Sequence, residues 1–121
     1  MTKQRIVIEL PLPAAGLHPN ARVCWQQKAR LTKAARYDAG LVARAQRPAK
    51  PFKTATVQMT FYMPRRRDQD GLVAWVKAIF DGLQDGGIIA NDSGLTVLPP
   101  KQVTGTAAGR KLVMEIEEST Q

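Results

Sequence analysis

The stretch Thr56-Val57-Gln58-Met59-Thr60-Phe61-Tyr62-Met63-Pro64 carries the most regular pattern of the chain, an alternation of polar and apolar side chains. Because successive side chains of a strand point to opposite faces, the alternation predicts a strand with one buried face. That face is expected to hold Val57, Met59, Phe61 and Met63. Pro64 ends the pattern, and Arg65-Arg66-Arg67-Asp68-Gln69-Asp70 follows directly at the carboxyl end of the strand.

The sequence before this strand predicts a strand, a loop and a helix. Apolar side chains alternate over residues 6–10, and Pro11 ends that pattern. No period holds over Ala14–Arg30, which predicts a long loop. Thr32 is the expected N-cap of a helix that runs to about Arg47, before a proline.

The sequence after it predicts a helix and two strands. Apolar residues recur at helical spacing over residues 72–83, and Gly86-Gly87 is a typical helix end. Residues 95–98 and Lys111–Glu117 have strand patterns. The predicted fold is a single α+β domain over residues 1–121, in the order β-α-β-α-β-β, with a mixed sheet packed by two helices. Residues 117–121 are expected to be a frayed tail.

Length and composition agree with one intracellular domain. The chain has 121 residues, of which 44% are hydrophobic, enough for one compact core. Its single cysteine, Cys24, excludes an internal disulfide and favours a cytoplasmic location. No apolar run approaches the roughly 20 residues of a membrane span, and no secretory signal is indicated. Neither a membrane nor a nucleotide cofactor is expected as a partner.

The charge of the chain is unevenly distributed. Residues 1–67 carry fourteen Lys and Arg and two acids, whereas residues 68–121 carry four Lys and Arg and eight acids, which gives +12 and −4 and the overall +8. A basic body with a local acidic cluster suits a polyanion, because the cations attract phosphates and the acids can hold a metal ion. Basic charge that serves only solubility is the simpler alternative.

Five of the six aspartates lie between residues 68 and 92. If Asp68–Asp70 is extended, both side chains project to the same side. Asp92 follows after a helix and a reversal of the chain, and three carboxylates could then hold one or two Mg²⁺ ions for phosphodiester cleavage. Simpler roles are open too: Asp70 as a helix N-cap, and Asp92 as part of an ordinary turn. Asp81 and Asp85 are expected on the solvated helix face.

Basic residues near the aspartates are candidate DNA contacts. Arg65, Arg66 and Arg67 are expected to bind phosphates through bidentate guanidinium geometry, and the basic segment with Arg22, Lys28 and Arg30 is a further candidate. Lys77 lies seven residues after Asp70 on nearly the same helical face, where it could stabilise developing charge or form a salt bridge with Asp81.

Trp25, His18 and Cys24 are weaker candidates for functional residues. Trp25 could stack on a base, but packing inside the protein is favoured. His18 and Cys24 form neither a zinc site nor a nucleophilic pair by any pattern in the chain.

The chain resembles the RusA-type Holliday junction resolvases, small endodeoxyribonucleases common in prophages. The resemblance covers most of the chain and rests on Arg65–Asp70, on Lys77-Ala78-Ile79-Phe80-Asp81-Gly82-Leu83, and on Asp92-Ser93. The opening Leu10-Pro11-Leu12-Pro13 and Asn20 fit it as well. Two positions depart from the family pattern: Gly71 stands where Asn is usual, and Asn91-Asp92 stands where two acids are common.

The resemblance implies a homodimeric, Mg²⁺-dependent enzyme that cuts paired strands of four-way DNA junctions, with Mn²⁺ as a substitute ion. It implies that Asp68, Asp70 and Asp92 bind the metal and that Lys77 is the family's lysine. A two-fold dimer also suits two symmetric cuts in a two-fold substrate. The alternatives are a non-catalytic DNA-binding phage protein with the same fold, or a nuclease that prefers flaps, other branched structures or RNA.

Overall fold

A computed structural model of the protein describes residues 4–18, 21–105 and 109–119, without the side chain of Asp92. Three helices and five strands lie in these ranges, together with two short 3-10 turns at Ala15–Leu17 and Asp92–Gly94. The helices are α1 (Trp25–Gln46), α2 (Gln69–Trp75) and α3 (Lys77–Asp85). The strands are β1 (Arg5–Leu10), β2 (Ala55–Met63), β3 (Leu95–Val97), β4 (Lys101–Thr104) and β5 (Lys111–Glu118). The predicted α+β class is confirmed, with one helix and one strand more than expected.

Strand β2 is the centre of the mixed sheet. It pairs antiparallel with β5, which in turn pairs antiparallel with β1. Its other edge pairs in parallel with β3 at Ala55↔Leu95 and with β4 at Phe61↔Gln102. Pro99 and Pro100 stand between β3 and β4, and because proline has no N–H to donate, this edge is interrupted. The carboxyl ends of β1, β2 and β4 therefore lie at the same end of the sheet.

The core lies between the sheet and the helices. The alternation in β2 is confirmed, since Val57, Met59, Phe61 and Met63 are buried and the intervening side chains are half-buried. The neighbouring strands bury Ile8, Leu10, Leu112, Met114 and Ile116 in the same core. The apolar stripe predicted for the second helix is buried as well, at Leu72, Val76, Ile79 and Leu83.

Helix α1 begins at Trp25 rather than at Thr32, so the predicted N-cap is wrong. The Thr32 hydroxyl instead donates a hydrogen bond of 2.8 Å to the carbonyl oxygen of Lys28. Residues 26–30 are Gln, Gln, Lys, Ala and Arg, all good helix formers, but every one of them is exposed. Because this part of the helix has no buried face, it has no apolar period from which to predict it.

Small residues bring α1 and α3 into close contact. A Cβ at Gly82 would lie 2.6 Å from the carbonyl oxygen of Arg36, and one at Gly86 would lie 2.7 Å from that of Gly40. Arg36 precedes Gly40 in α1, just as Gly82 precedes Gly86 in the chain. The two helices therefore run in the same direction. The backbones approach each other at a separation that only glycine permits.

We expect Gly82→Ala to lower the free energy of unfolding by about 1–2 kcal/mol, because the cost of overpacking exceeds the gain in helix propensity. Gly40→Ala is the matched control. Its Cβ would meet the nearest atom, the Gly82 oxygen, at 3.6 Å, so this variant should be unchanged or more stable by up to about 1 kcal/mol. Urea unfolding of both variants measures the difference. Equal stabilities would contradict the close helix contact.

The predicted single helix after residue 70 is two helices. The turn at Val76, with φ −101° and ψ 9°, separates α2 from α3. The apolar spacing continues across this turn, so the sequence pattern gives no sign of it. The predicted helix end is confirmed: Gly87 has φ +89°, and the Ile88 N–H donates to the Leu83 carbonyl at 3.0 Å.

The C-terminal tail is ordered further than expected. Glu117 and Glu118 belong to β5, and the Ser119 N–H donates to the Thr54 carbonyl at 3.0 Å. The prediction of fraying is therefore wrong up to residue 119, and residues 120 and 121 lie outside the described ranges. Over the described part of the chain, no helix has the length and apolar character needed to cross a membrane.

Candidate active site

A cavity of about 770 Å³ opens at the carboxyl end of β2. Three arginines line it, from two separate connections: Arg65 and Arg67 follow β2, and Arg110 precedes β5. The remaining lining residues are apolar and come from the turn after β1, from the end of β2 and from α2: Pro11, Leu12, Pro13, Ala15, Met63, Pro64 and Trp75. The fold therefore presents guanidinium groups on an apolar wall at one end of the sheet.

Trp75 fixes the position of Arg67. Its indole stacks parallel to Phe61, with the ring centroids 6.3 Å apart, and its Nε1–H donates to the Ala14 carbonyl at 2.8 Å. The Arg67 guanidinium carbon lies 4.9 Å from the Trp75 ring centroid, a cation–π contact. The Arg67 N–H donates to Gln102 Oε1, and Gln102 Nε2 donates to the Arg67 carbonyl, both at 2.8 Å.

No carboxylate that the structure describes lies within ion-pair distance of Arg65, Arg66, Arg67 or Arg110. The cations therefore keep their charge available, and Arg67 is held by its backbone and ring contacts rather than by an acid. Uncompensated guanidinium groups are suited to bind phosphate oxygens, because their planar donors match that geometry.

Asp68 and Asp70 begin α2, next to the cavity. Asp68 is the N-cap: its Oδ2 accepts a hydrogen bond of 3.3 Å from the Gly71 N–H. Asp70 lies in the first turn of the helix, and both side chains are exposed. Two expectations are thus wrong, since the segment is not an extended strand and the N-cap is Asp68 rather than Asp70. The capping bond occupies one oxygen of Asp68 and leaves the other for a second role.

The donor set of this turn fits Mg²⁺. A protein commonly holds this ion through one or two carboxylates, with water and substrate phosphate as the other ligands. Asp68 and Asp70 supply two exposed carboxylates, and the adjacent arginines can bring a phosphate. Within the side chains that the structure describes, which do not include that of Asp92, no three His, Cys, Asp or Glu residues form a metal cluster.

The backbone of Asp92 lies at the opposite end of the sheet. Its 3-10 turn leads into β3, whose Leu95 pairs with Ala55 at the start of β2. Arg67, in contrast, is bound to Gln102, which pairs with Phe61. Six residues of strand separate Ala55 from Phe61, or roughly 20 Å. The side chain of Asp92 lies outside the described residues.

The remaining acids of the cluster belong to helix α3. Asp85 pairs with Arg36 of α1 through two hydrogen bonds of 2.6 and 2.9 Å, which lower the pKa of the Asp85 carboxyl and raise that of the Arg36 guanidinium. Asp85 therefore joins two helices, which the expectation of a merely solvated side chain missed.

Lys77 is exposed at the first residue of α3 and is not within ion-pair distance of Asp81. Because the turn at Val76 intervenes, Asp70 and Lys77 lie on two helices rather than on one.

The other predicted DNA contacts are exposed but do not share one surface. Arg22 precedes α1, and Lys28 and Arg30 lie in its first two turns. Residues two apart on a helix point in different directions, so Lys28 and Arg30 face different sides. Asn20, which the resemblance includes, lies outside the described residues.

Two residues of the site were not predicted. Arg110 is one of them, and its only signal in the sequence is a basic residue directly before the strand pattern of Lys111–Glu117. Trp75 was predicted only as part of the apolar stripe, and its contact with Arg67 depends on tertiary structure. No protein-family model matches the chain, and comparison with curated proteins finds no significant match.

Proposed function

We propose that the chain is a Mg²⁺-dependent, structure-specific endodeoxyribonuclease that resolves four-way (Holliday) junctions by paired phosphodiester cleavage in recombination and repair. The observation that carries the proposal is the placement of two exposed aspartates, Asp68 and Asp70, beside an arginine-lined cavity at the carboxyl end of β2. The sequence resemblance to the RusA-type resolvases supports it through the same residues.

The proposed roles follow from charge and position. Arg65, Arg67 and Arg110 bind phosphates of the DNA backbone and set the position of the strand over α2. Asp68 and Asp70 hold Mg²⁺, which supplies an activated water and stabilises the departing oxygen when it is bound. Lys77 contributes a positive charge near the cleaved phosphate, as the resemblance implies.

Asp92 takes part from a second copy of the chain in this proposal. A homodimer supplies two identical sites for two symmetric cuts. What supports a second copy is the roughly 20 Å of strand between Phe61, whose partner Gln102 binds Arg67, and Ala55, whose partner Leu95 closely follows Asp92. A two-fold arrangement that places the β3 end of one copy against the α2 end of the other would complete both sites at once.

The test is cleavage of a synthetic four-way junction beside a linear duplex of the same sequence, with and without Mg²⁺. The proposal predicts cuts in the junction that require Mg²⁺, and an uncut linear duplex. Junction binding without cleavage in Mg²⁺ or Mn²⁺ would favour the non-catalytic DNA-binding alternative. Equal cleavage of flaps and junctions would favour a nuclease with a broader preference for branched DNA. Sedimentation that finds only monomers would contradict the dimer.

A further inference from the structure

Trp25 is the most exposed large hydrophobic residue of the described chain. It is the first residue of α1, and 76% of its surface is accessible to solvent. The other tryptophan, Trp75, is only 4% exposed. Over the described residues the Trp25 indole makes no aromatic or cation contact. The expectation that Trp25 packs inside the protein is therefore wrong.

A shallow depression of about 540 Å³ surrounds the indole. Its lining residues all lie on one face of α1: Trp25, Lys28, Ala29, Thr32, Lys33 and Arg36. Ala29, one turn after the tryptophan, is too small to cover the ring. The Thr32 hydroxyl donates its hydrogen bond to the Lys28 carbonyl, so this proton is not offered to a ligand in the depression. The ring face is thus open to a flat ligand.

Charge indicates which ligand suits this face. Arg36 is paired with Asp85, whereas Lys28 and Lys33 have no described carboxylate within ion-pair distance. Over its whole length α1 carries five cations and one acid, Asp38. An apolar protein partner would need apolar neighbours around the tryptophan, and Ala29 is the only one in the depression. An indole flanked by lysines matches a nucleobase flanked by phosphates.

The Trp25 end of the depression lies towards the end of the molecule that holds the arginine-lined cavity. Arg36 packs beside α3, and Trp25 lies 11 residues earlier on α1, about 16 Å towards the end where α2 begins. The segment before α1 also lies close to the cavity: Ala15 lines the cavity, and a Cβ at the next residue, Gly16, would meet Val23 and Leu31.

We propose that Trp25, with Lys28 and Lys33, forms a binding site for unpaired DNA, in which the indole stacks on a base and the lysines bind the neighbouring phosphates. The inference rests on the proposed function, because it assumes a branched DNA substrate with bases that are free to unstack. It adds a reason for structure specificity, since a continuous duplex offers no unpaired base to the indole.

The test is binding of a short oligothymidylate in the absence of divalent ions, followed by tryptophan fluorescence. Stacking should quench the wild-type emission, and Trp25→Ala should lose this quenching and weaken binding by roughly 5- to 150-fold, the range for one lost base–aromatic stack. Trp25→Phe should be intermediate. Tyr37→Ala is the matched control, since Tyr37 lies on the same helix, is 65% exposed and does not line the depression.

An abasic oligonucleotide separates stacking from phosphate attraction. Wild type and Trp25→Ala should bind the abasic oligonucleotide with equal affinity. If the two proteins also bind oligothymidylate with equal affinity, the inference is overturned. Loss of dimers in Trp25→Ala would also overturn it, in favour of a contact between copies. If wild type cuts junctions while the variant binds oligothymidylate normally, only this inference fails. If oligothymidylate quenches Trp25 but no branched DNA is cut, only the proposed function fails.

Discussion

Asp70→Asn is expected to reduce Mg²⁺-dependent cleavage of four-way junctions by at least about 100-fold, the loss typical when a group that supports transition-state charge is removed. Junction binding should stay the same or tighten, because the substitution removes a negative charge that faces the phosphates. Cleavage and gel-shift assays of the same preparation measure the two effects. Because Asp70 is exposed in the first turn of α2, the substitution should leave the protein folded, so unfolding is not expected to account for the lost cleavage.

Asp81→Asn is the matched control for this prediction. It makes the same chemical change within the same group of aspartates, at a position on α3 that is assigned no role in the metal site. Its cleavage rate should be close to that of wild type. Normal cleavage by Asp70→Asn would show that the metal site is elsewhere, and equal losses in both variants would point to a general effect of charge.

A mixture of two inactive variants is expected to recover cleavage. Asp70→Asn and Asp92→Asn should each be inactive alone if both residues bind the metal. In a mixed dimer that shares its sites between copies, one site combines both substitutions and the other is intact. Random exchange makes half of the dimers mixed, each with one intact site of two, so about a quarter of the wild-type sites return.

The same mixture gives no activity if each chain builds its own site, because every site then carries one substitution. That result would contradict the assignment of Asp92 to a second copy. Full activity of Asp92→Asn alone would remove Asp92 from the metal site altogether. The control is a mixture of Asp70→Asn with wild type, in which no substitution can be compensated and activity should fall with the fraction of variant.

The sequence predicted the parts of the fold in which local pattern and burial agree. The side chains of β2 alternate because one face of the strand is buried, so Val57 and Met63 could be assigned to the core before the structure was known. The end of α3 could also be predicted from the sequence, because Gly87 adopts a positive φ that glycine favours.

The parts that were missed have no local signal. The first turns of α1 are exposed on all sides and so show no apolar period. Strand β4, Lys101–Thr104, is short and largely exposed, and it follows two prolines. The turn at Val76 leaves the apolar spacing unchanged.

The candidate site also has parts that the sequence predicts and parts that it does not. That two aspartates and three arginines follow β2 is a property of the sequence, and the structure places Arg65 and Arg67 in one cavity. The distance to Asp92 depends on which end of β2 pairs with β3, and a parallel pairing that starts at Ala55 cannot be read from residues 91–97. Sequence spacing therefore indicates which carboxylates follow β2, whereas the strand pairing, which no local pattern reveals, sets where the segment around Asp92 lies.

Cleavage of a supercoiled plasmid that extrudes a cruciform tests the central claim most directly, since the products separate single from paired cuts. A dimer with two active sites on one junction should convert the plasmid to the linear form in Mg²⁺, without a lasting nicked intermediate. The mixed Asp70→Asn and Asp92→Asn dimers, with one intact site, should yield nicked circles. A wild-type protein that leaves the plasmid supercoiled, or that produces only nicked circles, would contradict junction resolution by paired cleavage.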